Sequence, residues 1–167
     1  MASTDNGTAD LEPGRPAPPF ALPDQSGAVH RLEDYAGHWL VLYFYPKDHT
    51  TLCTREACGF RDGMGALESL GARVLGVSLD SPRRHATFRE KHRLPFPLLS
   101  DDGGATARRY GSYLQIACLR VARRHTFIID PRGRLAKIYR RVDTGRHGAE
   151  VVNDLGLLQH TFSTKGE

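Results

Sequence analysis

From Trp39 to Tyr45 every residue is bulky or β-branched and none is charged. An apolar run with no polar alternate is the pattern of a strand buried on both faces. Pro46 ends it, having no N–H to give to a ladder. Beyond a short polar turn, residues 51–70 have helical composition, and 73–78 read as a second apolar strand. Ser81-Pro82 supplies an N-cap and a proline at the first helical position, so a helix over 82–92 follows. Strands at 126–130 and 134–139 flank Pro131-Arg132-Gly133, a tight turn that makes them antiparallel neighbours. A final helix is expected over 148–159. Near the start, 20–22 and 28–32 flank Pro23-Asp24-Gln25-Ser26-Gly27 and read as a short hairpin.

The order is βαβα followed by ββα. Parallel pairs need crossovers, so the alternation predicts an α/β protein whose mixed central sheet is flanked on both faces by helices. That is the order of the thioredoxin fold, here with an N-terminal β-hairpin extension and an insertion at about 93–120, before the third core strand. The insertion holds Pro95-Phe96-Pro97-Leu98-Leu99-Ser100-Asp101 and a short helical piece ending near Tyr110. Residues 1–14, small, polar and proline-containing, are expected to form a flexible tail. The remainder, 15–162, is expected to be one domain, as 167 residues can bury a single core without staples.

Composition removes several classes of function. No apolar stretch approaches the length of a membrane span, and the N-terminus lacks the basic and apolar regions of a secretory signal, so a cytoplasmic protein is expected. The net charge of +4 rests on arginines such as Arg120, Arg123, Arg140 and Arg141. No helix-turn-helix, zinc-finger or aromatic RNA-binding signature accompanies them, so specific nucleic-acid binding is not expected. The eight histidines are scattered and His-Glu-x-x-His is absent, so neither a metal nor another cofactor is expected.

Three cysteines, Cys53, Cys58 and Cys118, are an odd number for a disulfide framework, and in a reducing compartment they read as redox chemistry. Cys53 stands in the first turn of the helix that follows Pro46. There the free backbone N–H groups and the positive dipole end favour an anion, and a thiolate is one. The position predicts a nucleophile. Cys118 lies in the apolar stretch Tyr113–Leu119 and reads as structural, with a part in the redox chemistry of the other two cysteines left open.

Pro46, Thr50 and Cys53 reproduce the Pro-x-x-x-Thr-x-x-Cys signature of the peroxiredoxins. The wider Phe-Tyr-Pro-Lys-Asp and Cys-Thr-x-Glu-Ala-Cys wording resembles the bacterioferritin-comigratory or peroxiredoxin Q branch of the AhpC/TSA superfamily. The resemblance extends to Gly14–Leu22, Leu32–Gly37 and Arg124–Asp130, nearly the whole chain.

It implies a thiol-dependent peroxidase reducing hydrogen peroxide and organic hydroperoxides. Cys53 would be the peroxidatic cysteine and Cys58 its resolving partner in an intramolecular disulfide, reduced by thioredoxin or another small dithiol protein. Arg124 matches the family's second-site arginine. Pro46 would shield the thiolate. Thr50 either caps the helix or bonds the bound peroxide. Glu56 is either a surface residue or the group that orients Arg124. A monomer is expected, since such a disulfide needs no second subunit. The alternative is a redox sensor or holdase-type chaperone using the same cysteine. One departure stands at the nucleophile: the branch commonly has Thr-Pro-Gly-Cys where this chain has Thr50-Thr51-Leu52-Cys53.

Overall fold

The computed structural model describes residues 11–165. In chain order the elements are β1 (Ala21–Pro23), β2 (Val29–Arg31), a 3-10 turn at Leu32–Tyr35, β3 (Trp39–Phe44), α1 (Thr51–Ser69), β4 (Ala72–Ser78) and α2 (Pro82–His92). There follow β5 (Leu98–Ser100), α3 (Ala105–Arg109), β6 (Tyr113–Ile116), β7 (Leu119–Ala122), β8 (His125–Ile129), β9 (Leu135–Tyr139) and α4 (His147–Lys165).

Five strands form the central sheet in the order β5-β4-β3-β8-β9. β3, β4 and β5 run parallel, joined by the crossovers α1 and α2, and β8 and β9 are antiparallel to their neighbours. The uncharged run of β3 is explained by its central place. Its period of two sends Trp39, Val41 and Tyr43 to one face, among residues of α1 and α4. Leu40, Leu42 and Phe44 go to the other, where they meet Phe20 and Leu22 of the N-terminal segment, Ala107 and Tyr110.

The sequence reading and the structure differ in three places. The segment expected as an insertion contributes β5 to the sheet edge and the separate β6–β7 hairpin. Strands this short show no alternation by which to find them. The second face of the sheet is covered mainly by the N-terminal segment, the five-residue α3 and Ala122 of β7 rather than by long helices. Cys118 is exposed in the turn of the β6–β7 hairpin, not buried as a structural residue, because the hairpin projects Ile116 and Leu119 to solvent as well.

Of the tail expected over 1–14, residues 1–10 lie outside the described residues, while Gly14 N–H donates to Leu135 O at 2.7 Å. Among the described residues no helix is long and apolar enough to cross a membrane.

Candidate active site

The site forms where β3 runs out and α1 begins. Tyr45 N–H still donates to Val77 O, Pro46 then turns the chain, and Thr50 takes the extended conformation (φ −94°, ψ 153°) of an N-cap residue. The first bond of α1 runs from Thr54 N–H to Thr50 O, so the amides of Thr51, Leu52 and Cys53 have no acceptor within the helix. Cys53 is 1% exposed at this dipole end, a free thiol.

Arg124 reaches it from the loop between β7 and β8. Arg123 N–H donates to Ser112 O and His125 N–H to Arg123 O, a tight local turn that ties Arg124 to the start of β8. Its guanidinium forks between two partners on α1. Nη2–H donates to Cys53 Sγ at 3.2 Å, and Nη1–H donates to Glu56 Oε1 at 2.8 Å. The spacing of three between Cys53 and Glu56 puts both on one helix face, where one planar cation can hold both.

Glu56 is therefore no surface residue: it is 1% exposed. Burial pushes its carboxyl up to about 7 although Arg124 pulls the other way. Oε2 is buried without a hydrogen-bond partner, so Arg124 compensates only one of the two oxygens. Arg124 is itself partly desolvated, but Glu56 and Cys53 more than offset this and raise its affinity for its proton. Beside it, His147 donates to or accepts from Thr126 Oγ1 through Nε2 at 2.8 Å. Burial and then Arg124 push this imidazole down to about 4, so the cluster gains no second cation at neutral pH.

The remaining expected residues are close in sequence but differ in setting. Pro46 is half-buried and Thr50 exposed. Thr50 Oγ1 makes no cap bond to α1; it donates back to Lys47 O at 2.8 Å. Leu52, which stands where the branch usually has glycine, is 51% exposed next to the thiol. Cys58 is half-buried on the same unbroken helix as Cys53.

The sequence reading passed over a second polar cluster behind this loop. Asp48, Asp80 and His85 bring donor atoms within 4.8 Å of one another, a spacing a metal ion would accept. Hydrogen bonds already occupy those atoms, and Arg84 Nε–H donates to Asp80 Oδ1 at 3.0 Å, placing a cation where the ion would compete. The sequence signal was an aspartate in an otherwise open turn and a histidine four residues into a helix; nothing linked the two.

A family model described as the AhpC/TSA family matches residues 13–138. The chain is similar to peroxiredoxin Bcp of Bacillus subtilis, 41% identical over 155 residues, 87% of this chain and 95% of that protein. It is also similar to peroxiredoxin Bcp of Escherichia coli, 37% identical over 147 residues, 86% and 94% of the two chains. Among solved structures it resembles the bacterioferritin comigratory protein of Xanthomonas campestris, described for its alkyl peroxide reduction activity. That match has a TM-score of 0.78 at 33% identity, over 83% of this chain and 90% of the other.

Proposed function

The chain belongs to the AhpC/TSA family as a peroxiredoxin-type thiol peroxidase, and from that membership we propose a peroxidatic cycle run by Cys53 and Cys58. The observation that carries the reading is the fork of Arg124 between Cys53 Sγ and Glu56 Oε1. A fixed cation against the sulfur stabilises the thiolate, and its remaining N–H groups polarise an arriving peroxide.

The Cys53 thiolate attacks the terminal oxygen of the hydroperoxide. The O–O bond breaks, the departing oxygen leaves as water or an alcohol once it takes up a proton, and the sulfur becomes a sulfenic acid. The Cys58 thiolate then attacks that sulfur, forming the disulfide and expelling the hydroxyl, which leaves as water once it takes up a proton. Thioredoxin or another small dithiol protein returns the two electrons. Hydrogen peroxide and organic hydroperoxides are the substrates, the latter supported by the alkyl peroxide activity ascribed to the Xanthomonas protein. In this cycle Pro46 would shield one side of the thiol, and the Thr50 hydroxyl, three residues before Cys53, would receive the peroxide. Both thiols belong to one helix, so a monomer completes the cycle. Three free thiols suit a reducing, cytoplasmic setting.

Peroxide consumption with a thioredoxin system, followed for wild type and each Cys→Ser variant by intact mass, tests this. Cys53→Ser is expected to abolish turnover with the fold retained. Retained turnover in that variant would refute the assignment.

A further inference from the structure

The loop that carries Pro46 and Thr50 is held from behind by a pair of fully buried side chains. Asp48 is 1% exposed and His85, on α2, is 0% exposed. His85 Nδ1 lies 2.6 Å from Asp48 Oδ2, and its Nε2 lies 2.9 Å from Leu99 O of β5. A carbonyl oxygen only accepts, so Nε2 carries a hydrogen. Nδ1 then faces a carboxylate oxygen at contact distance, and a proton must sit between the two.

The rest of Asp48 is used as fully. Tyr45 O–H donates to Oδ1 at 2.5 Å, and the Asp48 backbone N–H donates to Asp80 Oδ2 at 2.8 Å. Asp80 is fixed in turn by Ser78 O–H at 2.6 Å and by Arg84. The next residue, His49, has φ +64°, a left-handed conformation uncommon for a non-glycine residue. Its ring packs edge-on against Phe88 of α2, 5.3 Å between centroids. The loop's own internal bond, Thr50 Oγ1 to Lys47 O, closes around Asp48.

We propose that His85, acting through Asp48, is a positioning residue for the peroxidatic site: the proton-bridged pair clamps the Pro46–Thr50 loop in the conformation that receives peroxide. The clamp rests on the assignment of Cys53 as the peroxidatic thiol. It acts on one half-reaction. Peroxide attack needs the loop and first turn of α1 assembled, whereas attack by Cys58 needs that turn opened, so loosening the clamp slows the first step and spares the second.

The test measures both steps in Asp48→Ala and Asp48→Asn. Sulfenic acid formation at Cys53 is timed by dimedone trapping in a Cys58→Ser background, and disulfide formation by intact mass with Cys58 present. In Asp48→Ala, sulfenic acid formation is expected to fall about tenfold or more, with conversion of sulfenic acid to disulfide unslowed. In Asp48→Asn the side-chain amide supplies the bridging hydrogen to a neutral His85, and the first step should return to within about threefold of wild type.

Asp48→Asn as slow as Asp48→Ala would overturn the proposal, as would wild-type oxidation in Asp48→Ala. Proportional loss of both steps would reduce the pair to a general stabiliser and overturn it too. Cys53→Ser separates the two readings: turnover in that variant defeats the assignment of the thiol, whereas wild-type oxidation in Asp48→Ala with Cys53→Ser inactive defeats the clamp alone.

Discussion

Gly148 lies so close to Gly59 that a Cβ on Gly148 would sit 2.6 Å from the Gly59 carbonyl oxygen. The first turn of α4 therefore crosses α1 backbone to backbone, one residue past Cys58. Gly148→Ala must push the two helices apart, at a cost of about 1–3 kcal/mol. Gly65, on the same α1 but with nothing within 4 Å of its Cβ position, is the control. There alanine removes backbone freedom from the unfolded chain and should stabilise by about 0.5–1 kcal/mol. Thermal unfolding of the two variants should shift in opposite directions. A Gly148→Ala variant at least as stable as the wild type would mean that the crossing is not tight.

Glu56 should make stability depend on pH in a recognisable sense. Its carboxyl is raised from 4.5 to about 7 in the folded protein, so the native state binds more protons between those values than the unfolded chain does. Its contribution is fully present below about pH 4.5 and is lost as pH rises through about 7, a change of up to about 3 kcal/mol. His125 and His147, pushed down to about 4, act in the opposite sense, so the difference between wild type and Glu56→Gln is the quantity to read. Urea unfolding at pH 5 and pH 8 should show the wild type losing more stability than the variant on going to pH 8. Equal losses would assign the titration elsewhere.

Arg124 is expected to be replaceable by lysine only in part. Lysine restores the charge but not a planar fork that reaches Cys53 and Glu56 together. Arg124→Ala should slow sulfenic acid formation on the order of 100-fold, the cost of losing one preorganised donor at a reacting centre. Arg124→Lys should fall between it and the wild type. Stopped-flow oxidation of the Cys58→Ser background gives the three rates directly, and full activity in Arg124→Lys would show that charge alone suffices.

Where local composition determines the outcome, the sequence was a good guide. β3 declared itself because it is buried on both faces, and α2 because Ser81 caps it and accepts from Arg84 N–H as expected. That Cys53 and Glu56 share a helix face was legible through their spacing of three on α1, whereas Arg124 stood out only through the recognised wording around it, and whether Glu56 met it was left open. Asp48 and His85 were not, because their partnership spans 37 residues and depends on how α2 docks against the loop. Cys118 misled for a related reason. An apolar stretch reads as core, yet its burial is decided by whether the hairpin lies on the body of the protein, and this one carries Ile116 and Leu119 exposed.

Because α1 runs unbroken from Thr51 to Ser69, Cys53 and Cys58 share one helix in the reduced protein. Residues five apart in a helix have Cα atoms roughly 8.7 Å apart, on faces about 140° from each other. A disulfide usually needs Cα atoms within about 6.8 Å, so on the proposed cycle the helix must open locally before Cys58 can reach the sulfenic acid. The Gly59–Gly148 crossing limits how far that opening runs: it packs the backbone directly after Cys58 against α4, so the opening is confined to the turns of α1 ahead of it. Oxidation should therefore speed amide exchange and move chemical shifts over residues 50–58, with 60–69 little changed. Cys58→Ser should hold the sulfenic acid at Cys53 and overoxidise in excess peroxide. Superimposable oxidised and reduced helices, or a peroxide-induced disulfide mapped to Cys118, would overturn this route to resolution.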